Sequence, residues 1–295
     1  MTMTDAEVRH LAIELLNAPT ERDKQTRIGA STLSNGCDYC LACAFARVSR
    51  ETPVTGRAFL GARVGTALHG LMELRSKTVE AFVTQHPEAE AEKHVWFADL
   101  RGYGKIGGSI DLLLQDEILD WKSSTRKKSL LMQDYLRISE GLEPYFGRTH
   151  KEIKLSEKVY GEEMAKQAYK VTGYFGQATL YMHGSGRKRA SLVFCNREGT
   201  GWFDNPAADR YEDPAAVHDV WVLSFNYDKA YAEALIARGQ AIYDHLAAGG
   251  IPSDFDHNPM CFPCSLDSAE EIREQKALEA VANIDIETTF DLVAA

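Results

Sequence analysis

Two Cys-x-x-Cys pairs stand near opposite ends of this 295-residue chain: Cys37-Asp38-Tyr39-Cys40 early and Cys261-Phe262-Pro263-Cys264 late. Such close spacing serves metal or redox chemistry. Two pairs together supply the four thiolates of one metal centre. A centre shared between them would tie the first helix to the last segment, so the fold must bring both ends together around whatever lies between. Cys43 is an alternative to either early ligand. Cys195, in an apolar stretch, reads as an inert core residue. Disulfides are the less frequent use in a cytosolic protein, and free thiols are the bland reading of the set.

Between the pairs, Gly108 to Lys122 reads as two short strands joined by a turn, with Asp111 opening the first. Side chains alternate along a strand, so Asp120 and Lys122 share a face. Two carboxylates and an ammonium beside a hydrophobic hairpin are costly unless a metal and a phosphate complete the site. That combination points to metal-dependent cleavage of a phosphodiester. Alone, Asp-x-Lys on a strand is most often a solvated surface pair, so the reading needs support elsewhere in the chain.

Periodicity supplies the frame. Residues 5–18 are helical in pattern, and Ser31 to Gly36 reads as a loop or cap before a helix near the cysteines. Val64 to Lys77 spaces Leu68, Leu71, Met72 and Arg75 as a helix does. Glu92 to Phe97 is a strand. Tyr103 to Lys122 gives two more, with Gly107-Gly108 as a bend or bulge. Leu130 to Gly141 predicts a helix. Glu163 to Met182 predicts a long one, with Tyr174, Gln177 and Tyr181 on one face. Ala190 to Asn196 and Val220 to Tyr227 are strands around a Gly/Pro/Asp-rich loop at Gly199 to Pro214. Asp228 caps a helix that Gly249-Gly250 ends. This order predicts one α/β domain with a mixed central β-sheet flanked by helices.

No apolar run approaches the roughly 20 residues of a membrane span, and the N-terminus carries no signal-peptide pattern, so the expected compartment is the cytoplasm. The net charge of −10 argues mildly against a protein that coats nucleic acid. That charge is uneven: eight acidic residues between Asp267 and Asp291 face only Arg273 and Lys276. Local basic clusters occur at Arg126-Lys127-Lys128 and Arg187-Lys188-Arg189. A phosphodiesterase needs only a local positive groove.

Gly65-Thr66-Ala67-Leu68-His69, Gly108-Ser109-Ile110-Asp111, Asp120-Trp121-Lys122 and the pair Gln177 and Tyr181, in this order, resemble the PD-(D/E)XK nuclease superfamily. The likeness is to its RecB-like, CRISPR-adaptation-type exonuclease branch, with a phage-encoded member in view, and it spans roughly residues 31 to 264. It implies a restriction-endonuclease-like core. It also implies that Asp111 and Asp120 bind Mg²⁺ or Mn²⁺ with His69 as a further ligand, that Lys122 orients or activates the attacking water, and that Gln177 and Tyr181 contact DNA. Carboxylate oxygens suit hard divalent ions, and an imidazole nitrogen tilts preference towards Mn²⁺. Beside a cation, Lys122 is expected to have a depressed pKa, or else to clamp phosphate. Glu73, one turn past His69, reads as solvated. Glu92 has a lesser claim than either aspartate.

In that branch an iron–sulfur cluster bound by terminal cysteines staples the domain. The commonest pattern has one early and three late cysteines, whereas here three are early and two late. The resemblance assigns a [4Fe-4S] cluster to Cys37, Cys40, Cys261 and Cys264; Zn²⁺ satisfies the same thiolates. Residues 1–266 are then one nuclease domain closed by the cysteine pairs, and 267–295 an acidic C-terminal tail.

The implied function is a metal-dependent DNA exonuclease acting at ends in recombination, repair or phage DNA processing, with single-stranded DNA a fitting substrate because aromatics stack on unpaired bases. The alternative is a non-catalytic DNA-end-binding or assembly module on the same fold, its acidic tail docking a protein partner or mimicking DNA. An RNA nuclease is a third reading.

Overall fold

The computed structural model describes residues 28–48, 56–140, 157–196, 220–258, 260, 261 and 264. The expected helix at 5–18, the loop at 199–214 and the acidic tail lie outside the described residues. Seven helices are described: α1 (Ala30–Leu33), α2 (Asp38–Phe45), α3 (Gly56–Thr78), α4 (Glu80–Gln85), α5 (Arg126–Ser139), α6 (Glu157–Ser185) and α7 (Lys229–Ala247). Five strands, β1 (Glu90–Leu100), β2 (Gly104–Leu113), β3 (Glu117–Ser124), β4 (Arg189–Asn196) and β5 (Val220–Asn226), form one mixed sheet in the order β1-β2-β3-β4-β5. The expected α/β class with helices flanking a mixed sheet is what the chain adopts.

Only β3 and β4 run parallel; the other neighbours are antiparallel. A parallel pair needs a long crossover, and α5 and α6 lie within it. The principal core covers one face of the sheet, where Ile118, Leu192 and Phe194 meet Val171, Ala178 and Met182 of α6. A smaller cluster of Leu112, Trp121 and Val193 packs with Met72 of α3 and Phe82 of α4. α3 forms where its spacing predicts, but Leu71 and Leu74 on it are 52% and 57% exposed. No described helix is long and apolar enough to cross a membrane.

Helix starts follow local chemistry. Asp228 accepts a hydrogen bond from the Tyr231 N–H at 3.0 Å, the expected cap. Thr125 accepts one from the Lys128 N–H at 3.3 Å. That cap starts α5 at Arg126, earlier than its apolar periodicity predicts. Gly107 and Gly108 lie inside β2, paired with Trp96 and Val95, and the irregularity sits opposite them, between Trp96 and Ala98 of β1. They are glycines for space. A Cβ on Gly107 would stand 2.5 Å from the Val95 carbonyl oxygen, and one on Gly108 3.0 Å from the Tyr181 hydroxyl.

Candidate metal centre and its cavity

The hairpin of β2 and β3 pairs only next to its turn, at Leu112–Leu119 and Leu113–Ile118. Past that point the strands part. The Trp121 N–H, which would have continued the ladder, donates instead to Asp111 Oδ2 at 2.8 Å. Asp111 thus lies near the end of β2, not at its start, and its side chain does the work of a backbone acceptor. The parted strands leave Asp111 and Asp120 buried, at 8% and 3% exposure, and both line one cavity of about 990 Å³.

His69 reaches the cavity from α3, with Nδ1 3.0 Å from Asp111 Oδ1. Glu92 enters from β1, where its φ of 51° is unusual for a side-chain-bearing residue. Ligand atoms of His69, Glu92 and Asp111 all lie within 4.8 Å of one another. One nitrogen and two carboxylates are a donor set for Mg²⁺ or Mn²⁺. The trio gathered here is His69, Glu92 and Asp111, with Asp120 lining the same cavity beside it. Sequence reasoning gave Glu92 only a lesser claim, because nothing in the residue order reveals the positive-φ backbone at that position.

Asp120 faces the same cavity but engages Lys122, with Nζ 2.5 Å from Oδ2. Lys122 also donates to Gln177 Oε1 at 3.2 Å and lies 4.8 Å over the Tyr174 ring. The shared face of α6 thus meets the lysine of β3, with Tyr181 lining the same cavity.

The charges divide the roles. Burial opposes ionisation of Asp111, but His69, Lys122 and the Trp121 N–H together hold its carboxyl below the usual range. Burial pushes Asp120 up to about 6, reinforced by Asp111 and opposed by Lys122. Burial would lower Lys122, yet Asp120, Tyr174 and Asp111 outweigh it and raise the ammonium above its ordinary value. In these surroundings Lys122 is a fixed cation. Burial also pushes Tyr181 up to about 12, against the Gln177 hydrogen bond.

No family model matches this chain, and no curated protein matches it. Solved structures do. The alkaline exonuclease LHK-Exo from Laribacter hongkongensis is 13% identical at a TM-score of 0.40, over 86% of this chain and 95% of that one. LHK-Exo in complex with dAMP is 14% identical at 0.41, over 76% and 89%. A phage-related exonuclease from Haemophilus somnus 129PT is 13% identical at 0.39, over 80% and 92%.

The remaining site residues separate into engaged and distant groups. Glu73 pairs with Lys77 at 2.6 Å on the exposed side of α3. Arg187 donates to the Leu114 carbonyl at 2.7 Å and Arg189 pairs with Glu117 at 3.2 Å, so this basic cluster braces the start of β3 and β4. The cations lining the cavity are instead Arg47, Lys105 and Lys122.

The cysteines do converge. Sγ of Cys37 lies 3.5 Å from Cys264, and Sγ of Cys40 lies 3.4 Å from both Cys261 and Cys264. Cys43 is buried apart from this group, and Cys195 packs beside the smaller core cluster. The hydrogen bond from Cys40 lowers the Cys261 thiol to about 5 despite burial, while that same contact raises Cys40 and burial raises Cys264.

Proposed function

We propose that this chain is a divalent-metal-dependent DNA exonuclease that hydrolyses phosphodiester bonds at DNA ends. The observation that carries the reading is the convergence of His69, Glu92 and Asp111 in one cavity with the buried Asp120–Lys122 pair. His69, Glu92 and Asp111 would hold Mg²⁺ or Mn²⁺, with Asp120 lining the same cavity. Such an ion lowers the pKa of a bound water and neutralises charge building on the phosphate. Asp120 and Gln177 fix the Lys122 ammonium, which stays protonated and pairs with a phosphate oxygen as negative charge grows there. Proton abstraction by Lys122 is not part of this scheme.

The walls suit an unpaired strand. Phe45, Tyr103 and Tyr243 form an aromatic group with ring centroids 5.1 to 5.7 Å apart, and all three line the cavity. Trp96, 49% exposed, lines it from β1. Aromatic faces stack on bases without regard to sequence, and Arg47 and Lys105 supply positive charge for the backbone.

The test is digestion of end-labelled single- and double-stranded DNA with Mn²⁺, Mg²⁺ or EDTA, by wild type and Asp120→Ala. Metal-dependent release of labelled nucleotides by wild type, lost in the variant, is expected. Equal digestion by both proteins, or none by wild type, overturns the reading.

A further inference from the structure

The sulfur cage formed by the two cysteine pairs has a definite size. Three of its edges measure 3.4 to 3.5 Å, and all six lie below 4.8 Å. A disulfide is far shorter, at about 2.05 Å. One tetrahedral ion with zinc–sulfur bonds of about 2.3 Å sets its four sulfurs about 3.8 Å apart. A four-iron cluster carries each thiolate outward from a corner of its cube, which puts the sulfurs roughly 6 Å apart. The cage matches the first arrangement and is too small for the second. We propose that Cys37, Cys40, Cys261 and Cys264 hold a single Zn²⁺, not the [4Fe-4S] cluster that the family resemblance implies.

The surroundings hold the cage at that size. Asn35 Oδ1 accepts from the Cys37 N–H at 3.1 Å and also from the Tyr169 hydroxyl. Arg238 of α7 donates to Asp38 at 2.7 Å and to the Asn35 carbonyl. The late segment is clamped to the early one from outside the sulfurs. Tyr39 stacks on His257 at 3.8 Å, and Asn258 donates to the Gly36 carbonyl at 3.3 Å. The Cys261 N–H in turn donates to the Asn258 carbonyl at 2.9 Å. Enlarging its three shortest edges by roughly 2.5 Å to seat a cluster would pull these contacts apart.

Four thiolates leave no open position, so the ion is structural: zinc has no redox chemistry, and a closed site offers nothing to substrate. The site stands apart from the chemistry at Asp111 and Asp120, and its content is measurable without any activity.

The test is composition. Full-length protein is produced in cells supplied with both iron and zinc, purified anaerobically, and assayed for metals and acid-labile sulfide. One zinc per chain is expected, with iron and sulfide below a tenth of that and no absorbance shoulder near about 400 nm. Iron and sulfide at about four per chain, one iron per chain, or metal-free protein each overturn the proposal. Cys40→Ser and Cys261→Ser are expected to lose the zinc, and Cys43→Ser and Cys195→Ser to keep it. Asn35→Ala, which removes a support of the cage, should weaken zinc binding about tenfold. Should the ligand variants fail to fold, Co²⁺ exchanged into wild type decides the matter. The d–d bands of a tetrahedral cobalt thiolate are expected, and octahedral or absent bands overturn the assignment.

Discussion

At Glu92 the backbone takes a left-handed conformation that costs a glutamate on the order of 1–3 kcal/mol. Such strain persists only where its surroundings demand it, and here it delivers a carboxylate to His69 and Asp111. Glu73, near His69 in sequence, is spent on Lys77. Glu92→Gln should therefore weaken Mn²⁺ binding at least about tenfold, while Glu73→Gln leaves it unchanged. Calorimetric titration of both variants checks this; equal affinities would remove Glu92 from the site. Asp120 adds a pH dependence. Its folded pKa of about 6 lies above the ordinary carboxylate value. The stabilisation from its neutral form is therefore complete below the unfolded pKa and is lost as pH rises through about 6. An ion drawing on this carboxylate must displace the proton below that point. Mn²⁺ affinity should rise by up to about tenfold per pH unit between pH 5 and 6, then level off as the carboxyl ionises. A flat profile across that range would show that Asp120 takes no part in binding.

At the scale of elements, the site exists because β2 and β3 begin as a hairpin and then part. α6 lies across the opening and packs closely on β1. At Gly184 a Cβ would stand 2.6 Å from the Trp96 carbonyl oxygen and 3.0 Å from Phe97 Cβ. Gly184→Ala gains up to about 1 kcal/mol of helix propensity, but the clash is with backbone that cannot rotate aside, costing about 1–3 kcal/mol. Net destabilisation is expected in urea unfolding; a stabilised variant would mean that α6 slides freely on β1. This packing explains what the sequence could disclose. Asp120 and Lys122 on one side of a strand, and Tyr174, Gln177 and Tyr181 on one side of a helix, were legible because period 2 or 3.6 fixes the side a residue faces; that the two sides belong to one site was implied only by the family resemblance. Glu92 sits at a kink, and Gly107-Gly108 answers to atoms of β1 and α6 far away in sequence. No local period encodes either. The start of α5 was misplaced for a related reason: its cap is one hydroxyl, while its apolar pattern begins a turn later. The charge state of Lys122 depends on Asp120 and Tyr174 as well as on any ion beside it, and the contact with Tyr174 crosses between elements that no local period connects.

Across the whole molecule, the proposed thiolate centre would join positions 227 residues apart, since Cys37 meets Cys264. Closing so long a loop in the unfolded chain stabilises the native state by about 5 kcal/mol in the chain-entropy account. For a domain of this size that corresponds to roughly 10–20 °C in Tm. The centre also holds α2 against α7 through Asp38 and Arg238, and these helices contribute Phe45 and Tyr243 to the aromatic wall of the cavity. Glu92 and Asp111, the carboxylates proposed to bind metal, stand on β1 and β2 of the sheet. Stripping the thiolate ion with a mercurial and a chelator should therefore separate two properties. Tm should fall by about 10–20 °C, and affinity for single-stranded DNA should weaken as the wall loosens. Mn²⁺ binding at His69, Glu92 and Asp111, measured well below the new Tm, should change little. Differential scanning calorimetry, strand-binding anisotropy and Mn²⁺ titration on one stripped sample read all three. An unchanged Tm would mean the centre is no staple, and joint loss of Mn²⁺ binding would mean that sheet and staple are a single cooperative unit.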